Sequence, residues 1–151
     1  MPVPVWFAPW KPGPAGRGGP DGDVGGQPGG AAVVSVTDFA PHRPWTSVGV
    51  TAAGIALRRT WDDAEGAIGL WLWSVPGLLR PRSGSVSVWR DEDGLRGFIA
   101  RSDHVRIMRA YRDRGELRST TWHTDHFDRA ATQEAARALI EQWCTRPTPG
   151  A

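Results

Sequence analysis

Between Val33 and Trp143 the spacing of apolar residues changes several times, and each change marks an element. Val33 to Phe39 is short and β-branched and is stopped by Pro41 and Pro44, which predicts a first strand. From Trp45 to about Trp61, Val50, Gly54, Leu57 and Trp61 recur at helical spacing with Arg58, Arg59 and Asp62 off the stripe, so a helix with one buried face is expected. Ala67 to Ser74 predicts a second strand ending at the Pro76-Gly77 turn, and Ser83 to Trp89 a third. Asp91 or Glu92 can cap a helix through Leu95, Phe98 and Ile99 that breaks or bends near Ser102-Asp103, resumes through Tyr111 and ends at Gly115. Leu117 to Thr124 reads as a fourth strand, and Asp128 caps a last helix carrying Ala136, Leu139, Ile140 and Trp143.

The order β-α-β-β-α-β-α predicts an α+β fold: a ferredoxin-like βαββαβ domain with a four-stranded antiparallel sheet plus a C-terminal helix. Two helices would cover one face, and the strands carry Trp71, Trp73, Trp89 and Trp122, whose rings are costly to leave in water. A second copy closing over the open face is the simplest cover, so a homodimer with a barrel-like shared cavity is expected. In the third strand Ser85, Ser87 and Trp89 share one face and Val86 and Val88 the other. The valines are expected to pack under the helices and Trp89 to point into the open face.

Outside that block the pattern fails. Residues 1–32 are dominated by Gly and Pro and are expected to form a disordered tail, although Val3, Val5, Trp6, Phe7 and Trp10 could dock on a partner or on the domain itself. The folded domain is expected over residues 33–145 and a flexible terminus over 146–151.

Composition adds little. Apolar residues make up 40% and charged residues 23%, which fits a soluble globular domain. The net charge is only +2 with Lys11 the lone lysine, so the basic isoelectric point is weak evidence for an anionic partner. The single cysteine, Cys144, rules out an internal disulfide and is expected to be inert packing in a reducing, cytoplasmic setting. Neither a membrane span nor a signal peptide is expected.

The run Ser85-Val-Ser-Val-Trp-Arg-Asp-Glu-Asp-Gly-Leu-Arg-Gly-Phe98, with Ser102-Asp-His-Val-Arg-Ile-Met108 after it, resembles the strand-to-helix segment of antibiotic biosynthesis monooxygenase-like and spheroidene monooxygenase-like proteins of the dimeric α+β barrel superfamily. Trp89, Asp91 and His104 stand where those families have a strand-closing tryptophan, a helix-opening acid and a Ser-x-His element. The resemblance implies a monooxygenase acting on a small aromatic or isoprenoid-like molecule, with either no cofactor or haem. The chain departs from the first family at Ser87, where an acidic residue is often found, and at Phe98, where a histidine is.

His104, Ile107, Met108 and Tyr111 fall at i, i+3, i+4 and i+7, which places the imidazole on the apolar stripe of its helix. His104 is the candidate catalytic acid or base, or the ligand to a haem; otherwise it is a satisfied histidine at the helix break. Trp73, Ser87, Trp89, Met108 and Trp122 are the candidate ligand-binding residues around a small hydrophobic molecule, the tryptophans being alternatively plain core and interface packing. A non-enzymatic module that binds a hydrophobic ligand or a partner protein in the same groove is the second reading. His123-Thr-Asp-His126 lies on a strand, where residues three apart point to opposite faces, so no metal site is expected. The Gly-rich runs lack the strand-then-helix context of a phosphate loop. RNA binding stands third: the basic stretch from Arg101 to Arg118 is interleaved with Asp103, Asp113 and Glu116, and the third strand lacks paired aromatics.

Overall fold

The computed structural model describes residues 3–16, 30–77 and 80–145. The chain runs through β1 (Trp6–Phe7), β2 (Lys11–Pro12), β3 (Ala32–Pro41), α1 (Thr46–Arg59), a single 3-10 turn (Trp61–Asp63), β4 (Ala67–Val75), β5 (Arg82–Trp89), α2 (Glu92–Ile99), α3 (Ser102–Tyr111), β6 (Gly115–Thr124) and α4 (Arg129–Thr145). The helix starts follow local chemistry. The Asp91 carboxylate accepts from the Gly94 amide at 2.9 Å and opens α2, and Asp128 accepts from Ala131 at 2.8 Å and opens α4. The expected break falls after Ile99, where Asp103 accepts from the His104 amide at 2.8 Å and from the Arg101 guanidinium at 2.9 Å.

The four long strands pair antiparallel in the order β4-β5-β3-β6, the ferredoxin-like arrangement, and β1 and β2 add short pairings to the free side of β4. In the β3–β5 register Val34 sits opposite Val88 and Val36 opposite Val86, while between them Ser35 faces Ser87 and Thr37 faces Ser85. The sheet therefore has one aliphatic face and one hydroxyl face.

Both faces are covered from within the chain, which corrects the expectation of an open face. The valines pack with Phe127, Ala136 and Ile140 under α4, not under the first two helical segments. Those segments, α1 and α2–α3, lie over the hydroxyl face instead. Each fully buried aliphatic side chain on the α4 side contributes roughly 1.5–3 kcal/mol relative to exposure. A buried ion pair fastens the same side: Arg82 holds both oxygens of the Asp38 carboxylate and donates at 2.7 Å to the Trp143 carbonyl in the last turn of α4.

Residues 3–16 are ordered, which corrects the expectation of a disordered tail for that part. The docking alternative describes it better. Val5 is buried in the α4-side core, and Trp10 packs on Trp71 at 4.4 Å and stacks on Phe127 at 6.1 Å. Gly69 leaves the space for that ring, since a Cβ there would collide with it. Arg137 donates to the Val5 carbonyl at 2.9 Å and Arg58 to the Pro9 carbonyl at 3.2 Å, so the segment is tied to helices on both sides of the sheet. The rest of the expected tail, beyond Gly16 and before Gly30, and the terminus 146–151 lie outside the described residues.

Candidate functional site

No residue of α1, α2 or α3 is buried, although each helix turns apolar side chains toward the sheet. The space responsible is a cavity of about 680 Å³ between those helices and the hydroxyl face. Its size lies within the range of small-molecule sites. Ser35, Thr37, Ser85 and Ser87 form the floor, with Leu70 and Leu72 beside them, and Val50, Leu57, Phe98, Ile107, Met108 and Tyr111 form the roof. The floor hydroxyls are partly engaged with one another: Thr37 Oγ1 lies 2.8 Å from Ser85 Oγ and accepts from the Ser85 amide at 3.0 Å. Small hydroxyl side chains keep the floor low, and the apolar roof keeps the space favourable for a hydrophobic molecule.

His104 borders the cavity from α3. Its ring lies 5.2 Å from Phe98, whose own ring stands 5.3 Å from both Trp61 and Trp89. Nδ1 is buried without a hydrogen-bond partner. Burial pushes the imidazole below its ordinary pKa, and Arg101 adds to this; the Ile99 carbonyl and the Asp103 carboxylate pull the other way, the carbonyl without meeting hydrogen-bond geometry. At neutral pH the ring is therefore uncharged and can accept a proton.

Of the residues singled out from the sequence, His104, Ser87, Met108 and Trp73 border the cavity. Trp73 does so from the other side of the sheet, where it is buried in the α4-side core and donates its indole N–H to the Thr37 carbonyl at 3.0 Å. Trp89 and Trp122 are corrections. Trp89 lies on the hydroxyl face as expected, but that face is roofed, and its indole is fully buried against Trp61 and Phe98. Trp122 points to the aliphatic face and packs at the edge of the α4-side core. Sequence reasoning missed Trp61, which closes the cavity wall just past α1, and the contribution of Trp6 and Phe7 to the rim. The signal for the floor was the alternation of valine with Ser or Thr over Val34–Thr37 in β3 and Ser85–Val88 in β5, which marks two faces of different chemistry.

The remaining candidates separate. His123 Nε2 meets Glu92 at 2.8 Å rather than His126, and among the described residues no group of three or more His, Cys, Asp or Glu could hold a metal ion. Cys144 packs at the edge of the α4-side core, where burial raises its thiol pKa. Among the described residues both sheet faces are covered, which leaves no open aromatic platform of the kind that stacks single-stranded RNA. Among the described residues no helix is long and apolar enough to cross a membrane. A haem, the cofactor left open by the sequence resemblance, fits the cavity poorly: Arg112 is the only cationic side chain lining it among the described residues, against two propionates.

These features define an α+β, ferredoxin-like chain with a cavity inside one subunit. No protein-family model matches the chain, and no curated protein matches it. Solved structures do match. A conserved protein of unknown function from Bacteroides thetaiotaomicron, described as a possible oxidoreductase, superposes with TM-score 0.52 at 11% identity, over 62% of this chain and 98% of its own. A protein from Shewanella oneidensis superposes with TM-score 0.53 at 17% identity, over 65% of this chain and 95% of its own. SnoaB, a cofactor-independent oxygenase from Streptomyces nogalater, reaches TM-score 0.49 at 15% identity over 60% of this chain and 90% of its own, too loose a likeness to bring its activity here. The likeness to the Bacteroides and Shewanella structures shows a shared fold.

Proposed function

We propose that the chain is a monooxygenase that binds a small hydrophobic, aromatic or isoprenoid-like molecule in this cavity and uses His104 as the proton acceptor. The observation that carries the reading is a partly buried imidazole bordering an apolar-roofed space of substrate size. Removal of a proton from an activated CH₂ group leaves a carbanion whose electrons reduce dioxygen within the same site. The hydroperoxide then loses water, so that R₂CH₂ and O₂ become R₂C=O and H₂O with the substrate as the only reductant. His104 takes the first proton and returns it to the peroxide anion, giving the hydroperoxide; the second C–H proton then leaves with the hydroxide as water. Ser87, Met108 and Trp73 shape the space, and no metal or haem is assigned. The fold is shared with a Bacteroides protein described as a possible oxidoreductase, which points the same way.

The test is anthrone as substrate with the purified full chain, following anthraquinone by its absorbance without added metal or flavin. Turnover above the spontaneous rate that is lost in His104→Ala supports the reading. Binding without turnover, equal in wild type and variant, selects the alternative of a non-enzymatic hydrophobic-ligand module of the same fold.

Self-association belongs to the same proposal, through a surface other than the sheet. Trp45, Val48 and Ile55 are exposed on the outer side of α1, Trp45 and Val48 at 67% and 72%. Two copies packed through this strip would bury Trp45, Val48 and Ile55 of each against the other. Val48→Asp is expected to convert a dimer to a monomer by light scattering; a wild type that is monomeric at micromolar concentration removes this part of the reading.

A further inference from the structure

The cavity is chemically graded along α3. His104, Met108 and Arg112 follow one another at intervals of four residues, and all three border the cavity. Arg112 continues the helical backbone past the end of α3, with φ −58° and ψ −30°. The rise from His104 to Arg112 is therefore about 12 Å. Arg106 and Arg109 on the same helix do not border the cavity. Nor is the Arg112 side chain consumed by the protein: among the described residues it has no hydrogen-bond, ion-pair or ring partner, whereas Arg82 and Arg101 are held by carboxylates and Arg114 lies over Tyr111. Asp103, the acid nearest His104, is engaged with Arg101.

From this arrangement we infer that the substrate is an amphiphilic acid: a flat apolar body carrying a carboxylate or phenolate at the end remote from the carbon that loses its proton. The apolar body lies between the hydroxyl floor and the Ile107–Met108–Tyr111 roof, and the anion pairs with the Arg112 guanidinium at the rim. Arg112 is thus a specificity-determining residue, and its planar fork suits a carboxylate better than a lysine would. It is exposed, so the pair is screened by water and the expected discrimination is modest. The inference rests on the cavity reading above and sharpens it.

The experiment compares anthraquinone-2-carboxylate with its methyl ester, each titrated into the full chain and followed by quenching of tryptophan fluorescence, since Trp61 stands in the cavity wall. The acid should bind wild type about fivefold more tightly than the ester, the scale of an exposed charge pair. Arg112→Gln should bring the acid to the ester's affinity and leave the ester unchanged, Arg112→Lys should keep part of the preference, and 1 M salt should erase it. If acid and ester bind wild type equally, the acidic substrate class is wrong while the cavity stands. If Arg112→Gln weakens both probes alike, Arg112 is a structural residue and the inference falls. If neither probe binds, the cavity reading and this inference fall together.

Discussion

The two faces of this sheet are built from neighbouring residues of the same strands, yet one is finished and the other is not. Under α4 the valines of β3 and β5 are fully buried, Ile140 and Ala136 fill the space above them, and the buried Asp38 carboxylate is held by Arg82. Under α1–α3 the strands present hydroxyls and no residue of the three helices is buried. Among the described residues, the buried side-chain polar atoms without a partner, on Arg58, Trp61, Trp89, Arg101 and His104, all belong to this second side. Each such atom costs about 1–3 kcal/mol when it stays unpaired. The contrast teaches that one face is packed throughout, whereas the other combines a smaller buried cluster around Trp61 and Trp89 with a cavity.

The contrast can be broken in four places. The largest effect is expected at His104: His104→Gln should lower anthrone turnover by roughly 100-fold or more while far-ultraviolet circular dichroism stays unchanged, because a general base is removed and no core atom is. A comparable loss of folded protein would move His104 to the structural side. Next is Ile140→Ala, expected to cost about 2–5 kcal/mol in urea unfolding, against less than about 1 kcal/mol for Ile107→Ala in the cavity roof. Equal costs would mean that the roof is packed core. Third, Ser87→Leu should fill the floor and abolish quenching by the anthraquinone probes; because Ser87 is itself buried, part of the added side chain meets packed neighbours and a cost of about 1–3 kcal/mol is expected.

The smallest effect is the pH dependence. The folded pKa of His104 lies below the unfolded value of about 6.5, so between the two the unfolded chain binds the extra proton. The contribution is fully present above the unfolded pKa and is lost as pH falls toward the folded one. Unfolding midpoints should therefore drop in wild type as pH falls below about 6.5 more than in His104→Gln. Identical slopes would show that the imidazole is not desolvated in the fold.

What the sequence determined by itself was local. Period, β-branching and punctuation by Pro, Gly and Asp set every long strand and helix, because hydrogen bonding and capping depend on neighbours a few residues away. The i, i+4 spacing along α3 likewise placed His104 and Met108 on one stripe, and the structure turns that stripe to the cavity. Tertiary structure alone decided which stripe meets which face. Alternation in β5 separates Ser87 and Trp89 from Val86 and Val88 but has no sign: either set can lie under a given helix. The choice came from long-range burial, once α4 and the segment around Val5 and Trp10 had claimed the aliphatic face. That docking put Trp122 in the α4-side core and left Trp89 walled in behind Phe98, which no spacing along the chain encodes.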